Sequence, residues 1–120
     1  MPGAPRWVSH HARASVRMSV CAAAKAAVRS LARTFVAELA PRGIRVNVLS
    51  PGPVDTPIFD RLGLSEEQTA EAKSSFVSQV PLGRLGFPDE LARAALFLVS
   101  DDASFVTGAE LAVDGGMAQV

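Results

Sequence analysis

Apolar residues recur from Val20 to Ala40 at the three- and four-residue steps of an α-helix, with Val20, Ala24, Ala27, Val28, Leu31, Phe35 and Leu39 on one stripe. The spacing predicts one long helix with that stripe buried. Ser19 stands where a side-chain oxygen accepts a hydrogen bond from a first-turn amide, and Pro41 and Gly43 supply stop signals just beyond the end. The next stretch, Ile44 to Ser50, is short, rich in β-branched residues and bounded by Gly43 and Pro51-Gly52, the pattern of a largely buried strand.

A proline-rich loop runs from Pro51 to Pro57. The segment SEEQTAEAKSSFVSQV then offers Ser65 as a cap and acids in the first turn, predicting a second, more polar helix. After VPLGRLGFP, residues Pro88, Asp89 and Glu90 open a third helix that carries Leu91, Ala94, Ala95, Leu98 and Val99 on one face. A last short strand around Glu110 to Val113 ends in the turn Asp114-Gly115-Gly116. Helices alternating with short apolar strands give an α/β fold class with a parallel sheet. Two parallel strands leave unpaired edges and too little sheet to cover three helices, so further material is expected from a longer parent protein, a second chain or a rearrangement.

The chain of 120 residues has the size of one domain, and its 48% hydrophobic content supports an ordinary core. Twelve basic and twelve acidic residues cancel, which removes net charge as a reason to bind nucleic acid or an anionic membrane. The single cysteine, Cys21, forms no internal disulfide, and no Cys/His spacing marks a metal site, so a reducing, cytoplasmic setting is expected. Lys25, Arg29 and Arg33 break the most apolar run, and no stretch reaches the roughly 18 apolar residues of a membrane span. The first residues, MPGAPRWVSHHARASVR, hold three arginines and both histidines but no acid. Such a composition resembles a transit peptide superficially, and a displaced start codon or a disturbed reading frame explains it as well. The division expected is an irregular basic arm over 1–18 and an α/β domain over 19–120.

Three phrases now stand in order: CAAAKAAVRSLARTFVAELAPRGIRVNVLSPGPVDTP, then PLGRLGFPDELARAALFLVSDDASFVTG, then VDGG. Together they resemble the classical short-chain dehydrogenase/reductase family, from about Ser19 to the C-terminus. The resemblance implies the C-terminal portion of a Rossmann-like doubly wound parallel sheet that binds NAD or NADP, without its first strands. Nothing in these 120 residues matches the glycine-rich turn that holds the pyrophosphate, the asparagine motif of the fourth strand or the region that selects NAD over NADP. The activity implied is interconversion of a small alcohol and its carbonyl by hydride transfer.

In that family a catalytic tyrosine is followed four residues later by a lysine. Lys25 matches the lysine, which lowers the tyrosine pKa and binds the nicotinamide ribose, and Cys21 stands at the tyrosine position. A thiol is acidic enough, at about 8.5 against about 10 for a phenol. Its reach is the obstacle, because the acidic atom retreats by about 4 Å from a contact of roughly 2.6 to 3.2 Å. The family's serine about a dozen residues earlier makes Ser9 a nominal candidate by counting alone. The PGPVDTP loop is the better match: Pro51 and Gly52 let the chain turn past the strand end, and the resemblance implies that the backbone of Val54 bonds the nicotinamide carboxamide and that the Thr56 hydroxyl contacts the cofactor.

Other features have plain readings. Lys25, Arg29 and Arg33 form a basic line at helical spacing, but no aromatic platform accompanies it, and a solvated helix face is expected rather than a nucleic-acid surface. His10 and His11 belong to the basic arm and lack further ligands for a metal. Phe59, Leu62, Leu64 and Phe76 flank the family's substrate lid and either shape a pocket or pack a helix. The functional expectation is an NAD(P)-dependent oxidoreductase, inactive as this chain alone. The alternatives are a split enzyme completed by another chain, a non-catalytic interaction module pairing with its own copy or a full-length relative, and a gene remnant. The second of these arises because the first and third helices match family elements that form dimer and tetramer contacts.

Overall fold

The computed structural model describes residues 19–59, 61 and 63–118. Their order is α1 (Ser19–Leu39), a 3-10 turn (Ala40–Arg42), β1 (Val48–Pro51), α2 (Glu66–Val77), α3 (Pro88–Val99), a second 3-10 turn (Asp101–Ala103) and β2 (Glu110–Val113). The two strands pair in parallel, from Val48 opposite Glu110 to Pro51 opposite Val113, with α2 and α3 in the crossover between them. Side chains alternate across this sheet. Ser50 and Glu110 share the face toward α1, where Glu110 accepts from the Ser50 hydroxyl at 2.7 Å and meets the Arg29 guanidinium at 3.0 Å. The third helix packs against both strands. The result is an α/β layer structure with a parallel sheet, as the alternation of elements implies.

Sequence signals and helix ends agree closely. The first helix gives way to a 3-10 turn containing Pro41, and Gly43 closes it at φ 72°, a left-handed conformation that glycine adopts without steric cost. Ser65 and Gln68 form a reciprocal capping box at the start of α2: the Ser65 hydroxyl accepts from the Gln68 amide at 3.2 Å, and the Ser65 amide donates to the Gln68 side chain at 3.0 Å. Glu90 does half of this for α3, accepting from the Phe87 amide at 2.8 Å.

Two expectations need correction. The stripe on α1 is not buried: Val20 is 82% exposed, Val28 57%, Leu31 53% and Phe35 42%. The face laid toward the strands instead carries Arg29, the buried Ala32 and Val36, since two strands cover only a narrow band of a long helix. The first strand is also shorter than Ile44 to Ser50, because β2 begins only at Glu110 and residues 44–47 have no ladder opposite them. That stretch is stitched to the 98–109 segment. Arg45 donates to the carbonyls of Leu98, Ser100 and Val106 at 2.7, 3.1 and 3.2 Å, placing its charge at the negative end of α3. Asn47 donates to Val106 O at 2.9 Å and accepts from the Ala109 amide at 3.0 Å.

Candidate functional site at the carboxyl ends of the strands

In an open parallel sheet, ligands gather beyond the carboxyl ends of the strands. Here that position is built by three backbone segments in close contact. The Gly52 amide donates to Val113 O at 3.0 Å, continuing the ladder past β1. A Cβ on Gly52 would lie 2.5 Å from Asp114 Cα, so the two chains approach closely enough to require glycine. Asp114 is itself buried and accepts from the amides of Gly116 and Ala118, both at 2.9 Å, which locks the turn after β2.

The loop that follows Gly52 is fastened on one side only. Val54 forms a parallel bridge with Gly86, in which the Gly86 amide donates to Pro53 O at 3.0 Å and the Asp55 amide donates to Gly86 O at 2.9 Å. In such a bridge the central residue directs its own N–H and C=O the other way. Among the described residues neither group of Val54 enters a backbone hydrogen bond. The loop thus presents one donor and one acceptor on a short extended edge.

Charged side chains fix the surroundings. Arg84 pairs with Glu90 through two hydrogen bonds, of 2.7 and 2.9 Å. These bonds first, and the Phe87 amide second, lower the Glu90 pKa to about 2, and the Arg84 pKa is raised in return. Lys73 of α2 donates to Asp55 at 2.8 Å. A cleft of about 590 Å³ lies beside this frame, lined among others by Pro53, Leu82, Arg84, Leu91 and Val113.

Of the residues expected from the sequence, Pro51, Gly52, Val54 and Thr56 come together in this loop. Lys25 is exposed on α1, and Cys21 lies one turn before it in the same helix. Among the described residues no hydrogen bond or ion pair joins Lys25 to the loop. Ser9, His10, His11 and Leu62 lie outside the described residues. Arg29 is engaged with Glu110, so the basic line on α1 is not a row of free cations. Phe59 is buried and meets the Phe76 ring of α2 edge-on at 6.0 Å, while Phe76 and Leu64 are exposed; burying a ring such as Phe59 contributes about 2 kcal/mol. No cluster of metal-ligating side chains occurs among the described residues, and none of their helices is long and apolar enough to cross a membrane.

Arg45, Asn47 and Lys73 went unnoticed in the sequence, and Asp114 was read only as part of a turn. A signal existed for the first two, since a cation and an amide inside an apolar β-branched run must find partners when partly buried. None existed for Lys73, whose partner is set by tertiary folding.

Parallel strands flanked by helices, with a loop edge beyond their carboxyl ends, define an α/β protein with an open parallel sheet. The comparisons agree. A sequence model described as enoyl-(acyl carrier protein) reductase matches residues 8–118, reaching back into the basic arm. The chain is 44% identical over 96 residues to the 3-oxoacyl-(acyl-carrier-protein) reductase FabG of Thermotoga maritima, covering 80% of this chain and 37% of that protein. It is also 44% identical over 103 residues to the inactive 2-(S)-hydroxypropyl-CoM dehydrogenase 2 of Xanthobacter autotrophicus, covering 86% and 45%. A solved short-chain dehydrogenase family protein from Francisella tularensis superposes with a TM-score of 0.77 at 29% identity, over 90% of this chain and 47% of that one. The chain belongs to the short-chain dehydrogenase/reductase family, and it spans less than half the length of these relatives.

Proposed function

We propose that these residues form the nicotinamide and substrate side of an NAD- or NADP-dependent oxidoreductase acting on a small alcohol or carbonyl in the cytoplasm. The observation that carries this reading is the Val54 backbone, whose donor and acceptor are both left over by the bridge to Gly86. A carboxamide offers a complementary acceptor and donors. The cofactor, when bound, supplies or accepts the hydride. Val54 orients its carboxamide, Thr56 adds a hydroxyl contact, Gly52 lets the loop turn against Asp114, and Lys25 holds the ribose.

The proton step is where this chain falls short. Cys21 at the family's tyrosine position leaves the acidic atom about 4 Å short of the substrate oxygen, and these 120 residues hold no tyrosine. Taken alone, they also contain no glycine-rich turn for the pyrophosphate, so calorimetry with NADH or NADPH is expected to show no saturable tight binding; a micromolar dissociation constant contradicts this. Fused to a compatible first half, the protein is expected to bind the cofactor. Val54→Pro, which removes the N–H, should weaken that binding, and Cys21→Tyr should raise turnover. Equal initial rates with Cys21 and with tyrosine defeat the reach argument.

The exposed residues Val28, Leu31 and Phe35 favour a second reading, in which α1 meets a further copy or a full-length relative. Light scattering decides it: a cooperatively unfolding monomer that binds no apolar dye argues against association.

A further inference from the structure

The second helix is lightly held. It has no buried residue and packs closely on no other helix or strand among the described residues. One tie to the body runs through Lys73, whose ammonium donates to Asp55 Oδ1 at 2.8 Å and lies 5.4 Å from the centre of the Phe59 ring. Phe76 of the same helix meets that ring edge-on. Asp55 sits between Val54 and Thr56, and its amide is one of the two donors of the bridge to Gly86.

From this we infer that Lys73 is a positioning residue: through Asp55 it fixes the loop that presents Val54, so that the place of α2 and the setting of the cofactor edge move together. The inference rests on the reading of Val54 proposed above. An exposed ion pair alone holds weakly, and Lys73 and Asp55 keep 34% and 47% of their side-chain surface in solvent. Two features raise it above an ordinary surface pair. The buried Phe59 ring gives the ammonium a second, electrostatic attraction and limits its motion. The Asp55 backbone is hydrogen-bonded on the far side, so a pull on its carboxylate bears on the bridge and, one residue back, on the free groups of Val54. A clasp of this strength opens and recloses readily.

Hydrogen–deuterium exchange on the chain as it stands tests this. Lys73→Met keeps the apolar stem and loses the charge; it is expected to speed exchange across α2 and also at the amides of Asp55 and Gly86, by about threefold, the scale of an exposed pair assisted by a ring. Lys73→Arg should retain the slow rates, and Asp55→Asn should speed the amides of Asp55 and Gly86, with the double variant no faster than Lys73→Met. High salt should reproduce the change in the unaltered chain and add nothing to Lys73→Met. Faster exchange in α2 with unchanged rates at Asp55 and Gly86 overturns the coupling. So does an arginine variant as fast as the methionine one, or no change in any of them. Failure of the cofactor reading looks different: the exchange coupling persists, while Val54→Pro leaves cofactor binding in the fused protein untouched.

Discussion

At the carboxyl ends of β1 and β2 the backbone segments are bonded to one another, with the Val54 groups left over, whereas the outer edge of β1 has no strand beside it among the described residues. In the first region the amides of Gly52, Gly86 and Asp55 donate to the carbonyls of Val113, Pro53 and Gly86 at 2.9 to 3.0 Å, and a glycine is required where Gly52 meets Asp114. In the second, β1 pairs only with β2 among the described residues. Apolar grooves of about 390 and 350 Å³ flank its other edge, one under Val28, Leu31 and Phe35 and one against Ala95, Leu98 and Val99. The contrast separates two kinds of sequence requirement. Substitutions in the first region act on folding of this chain, and substitutions in the second are expected to leave its folding unchanged.

Gly52→Ala attacks the contrast at its strongest point. The new methyl meets Asp114 backbone, so urea denaturation should show a loss of about 3 kcal/mol; a loss below 1 kcal/mol shows that the strand ends are looser than described. Arg45→Met removes three charge-assisted hydrogen bonds to carbonyls and should lower stability by about 2 kcal/mol in the same measurement. Leu31→Gln, on the open side, should shift the midpoint by no more than about 0.5 kcal/mol, yet abolish any association seen by light scattering. A large loss in a monomer places Leu31 in this chain's own core. The smallest effect belongs to Glu90. Its folded pKa of about 2 lies below the ordinary value of about 4.3, so its contribution is complete above about pH 4.3 and fades as pH falls toward 2. Glu90→Gln should flatten that part of the stability profile, and an unchanged profile shows the pair with Arg84 to be inconsequential.

Local signals made the elements legible. The Ser65 box, the Gly43 stop, the Pro88 start and the Glu110 to Val113 strand all depend on neighbours within a few residues, and each stands where the sequence put it. What periodicity does not tell is which face of α1 is covered. Leu31 and Phe35 carry the stronger apolar signal, but the strands present in these residues reach only Arg29, Ala32 and Val36. The strand boundary at Val48 was hidden for a related reason, since residues 44–47 have β-branched composition but no ladder partner. At the site, PGPVDTP located the loop; its bridge to Gly86 and its hold by Lys73 are long-range facts with no local trace.

The crossover between the two strands is long, and the hydrogen bonds that close it join residues such as Asn47 and Ala109, 62 positions apart. The entropy of closing such a loop grows only with the logarithm of its length, each doubling adding about 0.6 kcal/mol. Residues inserted between Phe59 and Ser65 therefore strain the sheet very little. Since α2 has no buried residue, the segment nearest the loop is also the one most open to changes of length and composition, and it can be remodelled without rebuilding the sheet.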